Sequence, residues 1–307
     1  MDSKLTALFA AVESTYGTPA TLTQAILCKV TGFAPYDANM KELDYQQSKY
    51  GSQKSIIMSA WARIDVEIDM TGSGTAGTKP LYEMLLRACG LSVIEGSTPD
   101  DTVIGLATTG HASATIGYYM DGMLFTMAGC RGNATIGLSP EGFPVFNLTI
   151  WGVPVNPQDV TTPDMDFSGY LEPVPINDGT TTFSLFGYSA VLQSLSLDVG
   201  FEINRRDKPN DKGVYLRNRK SKGSVTIDLP LVAQKDFFGL IRSHGTGALS
   251  AVIGATAGNI NTISAPKVQL LGSPSITETD NYVQIGMQLA LLPNSDAGDD
   301  DLVITQT

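Results

Sequence analysis

Alternating apolar and polar residues predict a strand, a turn and a helix between positions 62 and 90. Apolar and acidic side chains alternate along Ile64, Asp65, Val66, Glu67, Ile68 and Asp69. This period of two is typical of a β-strand with one buried and one polar face. Three glycines interrupt the pattern. Apolar residues then recur at helical spacing between Pro80 and Gly90, since proline suits the first turn of a helix and glycine its end.

A second copy of this unit is predicted in the other half of the chain. Residues 223–229 alternate in the same way, and a helical pattern follows at 235–245. Aligned with the first helix, it matches at five positions: Tyr82 with Phe237, Leu85 with Leu240, Leu86 with Ile241, Arg87 with Arg242 and Gly90 with Gly245. A strand, loop and helix repeated in one order indicate an internal duplication.

The remaining pattern divides the chain into two similar domains. We predict an N-terminal arm over 1–24 with a short helix at 5–12, a first domain over 25–153, a proline-rich linker over 154–187, a second domain over 188–293 and a C-terminal segment over 294–307. The long polar segments 36–60 and 200–222 lie between strands and are expected to form extended hairpins or long loops. Many turns and few helical patterns indicate a mainly β fold.

Composition narrows the classes of function. The 307 residues suffice for two domains, and the net charge of −11 argues against a nucleic-acid-binding surface covering the whole protein. Three widely spaced cysteines form neither a disulfide framework nor a zinc site, which favours folding in a reducing cytoplasm. The N-terminal apolar run is too short for a signal peptide, and no run approaches the ~18 residues of a membrane span.

A glycine motif at Gly72, Gly74 and Gly77 resembles a dinucleotide-binding fingerprint. Its preceding strand is half polar, no alternating βαβ series follows, and the second copy lacks the glycines, so a flexible turn is the favoured interpretation. The two histidines, His111 and His244, have no convergent partners for catalysis. We therefore predict a protein that is not an enzyme and has no catalytic, cofactor-binding or metal site.

Two charged features remain open to more than one interpretation. Asp65, Glu67 and Asp69, with Asp228 in the second copy, form either a solvated sheet face or an acidic face turned toward an enclosed channel. The segment 200–222 is basic: it holds Arg205, Arg206, Lys208, Lys212, Arg217, Arg219, Lys220 and Lys222. It is a solvated hairpin, a nucleic-acid contact, or a complement to an acidic patch on a neighbouring copy. The acidic remainder of the chain favours the last.

Five segments spread over nearly the whole chain carry a family resemblance. They read ESTYGTPATLTQA, LLRACG, AGCRGNATIGLSPEGFP, GYSAVLQSLSLDVG and SAPKVQLL. As an ordered set they resemble the major tail tube protein of long-tailed bacteriophages with non-contractile tails, the siphovirus type. The resemblance implies two tandem β-sandwich or barrel domains, each with a short flanking α-helix and a long hairpin loop. Such domains close into rings, and the rings stack into a hollow tube that conducts DNA.

The resemblance also implies partners and contact residues. Six domains per ring would need three copies of a duplicated chain, a homotrimer with pseudo-hexameric symmetry. The long loops would reach the adjacent ring, making Tyr45, Tyr50, Arg205, Arg206, Arg217 and Arg219 candidate inter-ring residues, and Asp65, Glu67, Asp69 and Asp228 candidate lumen residues. Expected partners are copies of itself, the tape measure, tail terminator and distal tail proteins, and double-stranded DNA in transit without specific binding.

No membrane contact is expected, and the location is the virion tail after assembly in the host cytoplasm. The alternatives are another two-domain virion protein, such as a tail terminator or capsid decoration protein, or an enzyme using the glycine motif.

Overall fold

The computed structural model describes residues 5–96, 100–279 and 281–307. Strands make up 54% of it and helices 4%, so the predicted mainly β class is confirmed. The two helices, α1 (Glu83–Ala88) and α2 (Phe237–Arg242), lie in the two predicted helical patterns. Neither is long and apolar enough to cross a membrane.

Among the residues described, ten strands lie in the first half of the chain. They are β1 (Thr6–Val12), β2 (Gln24–Ile26), β3 (Lys29–Glu42), β4 (Ser55–Asp69), β5 (Leu91–Glu95), β6 (Thr102–Leu106), β7 (Ala114–Met120), β8 (Met123–Leu138), β9 (Val145–Pro154) and β10 (Gln158–Asp159). Nine follow in the second half: β11 (Thr181–Leu185), β12 (Leu192–Asp198), β13 (Phe201–Lys208), β14 (Asp211–Arg219), β15 (Lys222–Asp228), β16 (Thr246–Ile253), β17 (Asn261–Thr279), β18 (Tyr282–Leu291) and β19 (Val303–Gln306).

The first half pairs its strands antiparallel in the order β1–β7–β8–β9–β4–β3. The register between β8 and β9 shifts between Ala128 and Arg131. The N-terminal part of β8 pairs with β7, and its C-terminal part joins the layer of β9, β4 and β3. Buried side chains such as Ile64, Phe146 and Ile136 fill the space between the layers and pack with α1.

The second half uses the order β11–β16–β17–β18–β15–β12, again antiparallel. This matches the first order strand for strand when β1 is set against β11, β7 against β16, β8 against β17, β9 against β18, β4 against β15 and β3 against β12. The long strand β17 also has an irregular register, between Leu271 and Ser275. Strands β5 and β6, between α1 and β7, are matched by no strand between α2 and β16.

Two seams join the halves. At the first seam β12 pairs with the C-terminal part of β8, with Leu195 opposite Leu138 and Leu197 opposite Ile136. At the second, β19 pairs with both β17 and β6, so that Ile304 lies opposite Ile263 and Ile104. All these side chains are buried in one continuous core.

Three sequence expectations need correction. The helix expected at 5–12 is strand β1, whose residues Ala7 to Ala11 are buried in the sheet, because a short apolar run suits a buried strand as well as a helix. The expected linker contains β11, which belongs to the second-half sheet. The C-terminal segment ends in β19, part of the second seam. Residues 1–4 of the expected arm lie outside the described residues.

Glu13, directly after β1, is a buried carboxylate that holds three parts of the first half together. Its oxygens accept hydrogen bonds from Ser113 Oγ at 2.6 Å, Thr115 Oγ1 at 2.9 Å, and the backbone N–H groups of Gly17 at 2.8 Å and Gly129 at 2.7 Å. The Gly129 N–H needs an acceptor because it is withdrawn from water.

We predict that Glu13→Gln lowers the free energy of unfolding by about 2 kcal/mol, because the amide N–H₂ faces donors where a carboxylate oxygen accepted. Urea denaturation measures the change. The exposed Glu202→Gln is the matched control and should shift the midpoint little. Equal midpoints for the two variants would contradict the role assigned to Glu13.

Candidate assembly interfaces

The four predicted acidic residues share one face of a continuous layer. The first seam extends this layer across both halves in the order β3–β4–β9–β8–β12–β15–β18–β17. Asp65, Glu67, Asp69 and Asp228 alternate with core residues and therefore lie on its polar side. The face is partly neutralised, because Glu67 pairs with Lys29 at 2.7 Å and Asp65 with Arg63 at 3.0 Å.

Both ends of this layer are open edges in the described structure. Strand β3 pairs with β4 on one side only, and the C-terminal part of β17 pairs with β18 on one side only. Ile276 on this part of β17 is 59% exposed. Its counterpart on β8, Ile136, is buried and lies opposite Leu197 across the first seam. An open edge presents unpaired backbone groups that can join another strand.

The predicted long segments are two hairpins with different surroundings. The first hairpin is the outer part of β3 and β4 with the connecting loop 43–54; it carries Tyr45 and Tyr50, both exposed. The second hairpin, β13–β14, lies against the first half of its own chain. There the Tyr16 hydroxyl accepts from Val214 N–H at 2.6 Å, and Phe201 and Leu216 reach Gly90 at the end of α1.

The candidate arginines of the second hairpin have partners within the chain. Arg205 stacks on the Trp151 ring at 4.0 Å and pairs with Asp37 at 3.4 Å. Arg206 pairs with Asp211 at 2.7 Å, and Arg217 lies 5.3 Å from the centre of the Tyr215 ring. All three keep exposed surface. The aromatic partners Trp151 and Tyr215 were not anticipated, because neither carries a local signal in the sequence.

Arg219 differs from the other three because it is nearly buried. Its guanidinium pairs with Asp299 at 2.8 Å and with Asp301 at 2.7 Å. Burial alone would raise the pKa of Asp299, but hydrogen bonds from Thr108 and Arg219 outweigh it and leave that pKa below its usual value. The acidic C-terminal turn thus ties the second hairpin to the end of the chain.

The glycine motif is a packed contact between the halves. Gly72 N–H donates to Asn259 Oδ1 at 2.9 Å, and Gly74 N–H donates to the Gly258 carbonyl at 3.1 Å. A Cβ on Gly72 would collide with that same carbonyl. The flexible turn expected here is therefore wrong: the glycines allow two backbones to touch, and these N–H groups are not available to a phosphate.

The cysteines and histidines form no cluster. Burial raises the pKa of the Cys89 and Cys130 thiols, and it lowers the pKa of His111, whose ring lies edge-on to Phe201. Among residues 5–96, 100–279 and 281–307, no three His, Cys, Asp or Glu side chains are placed to hold a metal ion.

Comparison with known families decides the class of protein. The family model described as "Phage tail tube protein" matches residues 3–288. The chain belongs to the phage tail tube protein family. A search of curated proteins gave no match. As a tail tube protein it is a structural component of the virion tail, not an enzyme, and it assembles with copies of itself.

For this tail tube protein we predict that Arg219→Met lowers the free energy of unfolding by about 3 kcal/mol, because Asp301 is left buried and unpaired. The contribution of Asp299 is full above its unfolded pKa of 3.8 and is lost as the pH falls through the lower folded pKa. The difference between wild type and variant in urea denaturation should therefore shrink below about pH 4. Arg217→Met is the control and should lower the free energy of unfolding by under about 0.5 kcal/mol. An equal loss at both positions would contradict the role assigned to the ion pairs of Arg219 with Asp299 and Asp301.

Proposed function

We propose that three copies of the chain close into a ring by pairing the open edge of β17 in one copy with the open edge of β3 in the next. The first seam carries this proposal. There β12, the counterpart of β3, pairs with β8, the counterpart of β17. The chain thus contains one example of the junction and exposes the two edges needed to repeat it.

The proposal treats the two halves as a duplicated tail tube domain. The strand orders match, and so do the sequences VEIDM at 66–70 and VTIDL at 225–229. A ring of six such domains, the number that the family resemblance implies, needs three copies. Sheet closure then leaves no open edge in this layer, which lowers the risk of uncontrolled strand pairing there. We assign the domains to the siphovirus type of tail on the same resemblance.

Ring closure turns the polar face toward the channel in this proposal. Asp65, Glu67, Asp69 and Asp228 are its acidic residues, and double-stranded DNA passes along it during ejection. An acidic wall offers no cations to release the counterions condensed on the DNA and bind it tightly, so the DNA can slide. The tube also contacts the tape measure, tail terminator and distal tail proteins after assembly in the host cytoplasm. The family match favours the tube over a terminator or a capsid decoration protein.

Rings stack, in this proposal, through the exposed parts of the hairpins. The loop 43–54 presents Tyr45 and Tyr50, and the second hairpin presents Arg205, Arg206 and Arg217. Arg219 contributes less, because its guanidinium is held by Asp299 and Asp301. A head-to-tail interface of this kind repeats along an axis and makes an open filament.

The edge contact is tested by Ile276→Glu. The change places a charge at a seam that becomes buried, so we expect a folded protein whose assembly needs at least about a tenfold higher concentration. Sedimentation and negative-stain electron microscopy give the readout. Ile94→Glu, an equally exposed isoleucine on β5, is the control and should assemble normally. An Ile276→Glu variant that forms rings as readily as wild type would contradict edge pairing, and a wild type that stays monomeric at high concentration would contradict the tube.

Stacking is tested separately by a double change, Tyr45→Ser with Tyr50→Ser. We expect rings without long tubes, because the loop tip lies away from the paired edges and loses its aromatic contact area. Phe143→Ser, at another exposed aromatic side chain, is the control and should leave tube length unchanged. Tubes of normal length in the double variant would show that the loop does not join rings.

A further inference from the structure

The two hairpins carry an apolar cross-strand pair at matching positions. Aligning Val66 with Val225 places Ile57 against Leu216. Their partners across the hairpins are Met40 and Ile203. A register irregularity adjoins the pair in both hairpins, which supports the match.

The pair in the second hairpin is covered by the first half. Leu216 is 7% exposed, and its Cδ1 lies 3.0 Å from the position that a Cβ on Gly90 would take. The Phe201 ring lies closer still, so only glycine fits at the end of α1. The second hairpin therefore crosses the first seam and packs beside the helix of the neighbouring half.

The pair in the first hairpin has no such cover within the described chain. Met40 is 57% exposed and Ile57 is 48% exposed, and the adjoining Ile56 and Met58 are exposed as well. Four large apolar side chains on one hairpin in water are the mark of an interaction surface.

The end of α2, which matches the end of α1 that the second hairpin covers, is itself only partly covered. Leu85 and Leu86 on α1 are fully buried, whereas their matches on α2, Leu240 and Ile241, are only partly buried. Gly245 aligns with Gly90 in the sequence, although the left-handed position after α2 is taken one residue earlier, by His244 at φ +54°. In the described chain, the first hairpin therefore covers no helix end, and the end of α2 is covered by no hairpin.

We infer that the first hairpin of one copy docks, through Met40 and Ile57, on the end of α2 beside Gly245 of the next copy in the same ring. This inference rests on the proposed ring, because pairing β3 with β17 is what carries the hairpin across the seam. The partner is a second copy of this chain. The contact lies within a ring, at the base of the hairpin, and is separate from the stacking contact at its tip.

The first test is Ile57→Glu, with Ile94→Glu as the control. Because Ile57 is exposed in the single chain, the variant should keep the wild-type urea midpoint while assembly needs at least about a tenfold higher concentration. If Ile57→Glu assembles like wild type while Ile276→Glu does not, the docking inference is wrong and the ring stands. If both variants assemble like wild type, the proposed edge pairing fails as well.

The second test is a disulfide between copies. Chains carrying Ile57→Cys are mixed with chains carrying Gly245→Cys, both with Cys28→Ser, and oxidised mildly. Gly245 lies outside the left-handed region and a Cβ there meets only side-chain or ordinary backbone contacts, so cysteine fits once Leu240 shifts slightly. We expect a covalent dimer from the mixture and none from either variant alone.

Ile94→Cys mixed with Gly245→Cys is the matched control and should stay uncrosslinked. Adding the Tyr45→Ser and Tyr50→Ser changes should preserve the disulfide, because the contact lies within one ring. Tubes that form without the 57–245 disulfide would overturn the docking inference. A disulfide that disappears when stacking is lost would assign the contact to adjacent rings and overturn it too.

Discussion

The structure depends on whether a second strand pairs with the C-terminal part of each long strand, β8 and β17, in the antiparallel layer. Strand β8 is longer than its neighbour β7 because its C-terminal part must also carry β9 on one side and β12 on the other. Pairing with β12 satisfies backbone groups that an edge strand leaves open, and it buries Leu195 and Leu197 in the common core. The same arrangement on β17 lacks its second partner in the described chain. The subunit therefore has one paired position, on β8, and one open edge, on β17.

The two hairpins occupy matching positions in the two halves but have different surroundings. In the second half, Gly200 at φ +78° lies against the Lys220 backbone, which lets the chain turn out of the layer and fold over the first half. In the first half, β3 and β4 continue as one ribbon to Glu42 and Ser55, and apolar side chains stay in water. One hairpin therefore packs on the first half of its own chain, and the apolar side chains of the other stay exposed.

Sequence reasoning found the elements whose signal is local. The alternation at 64–69 and 223–229 and the two helices were predictable because one face of each is buried. Strand β1 was not, because its apolar run, Ala7 to Ala11, is continuous and has no periodicity. Asp299 and Asp301 lie 80 and 82 positions from Arg219, so a count of charges cannot show that this cation is neutralised. The apolar residues 56–58 stood in a segment that is polar on average, and only their exposure in the folded chain reveals them.

The first seam has a consequence for the concentration dependence of assembly. Because β8 and β12 belong to one polypeptide, they meet at the high effective concentration that a covalent connection provides. In the proposed ring, half of the domain junctions therefore form during folding, independently of how much protein the cell has made. Only the remaining half incur the loss of translational and rotational freedom on association. Fusing two domains in one chain thus lowers the protein concentration at which the first closed ring can appear.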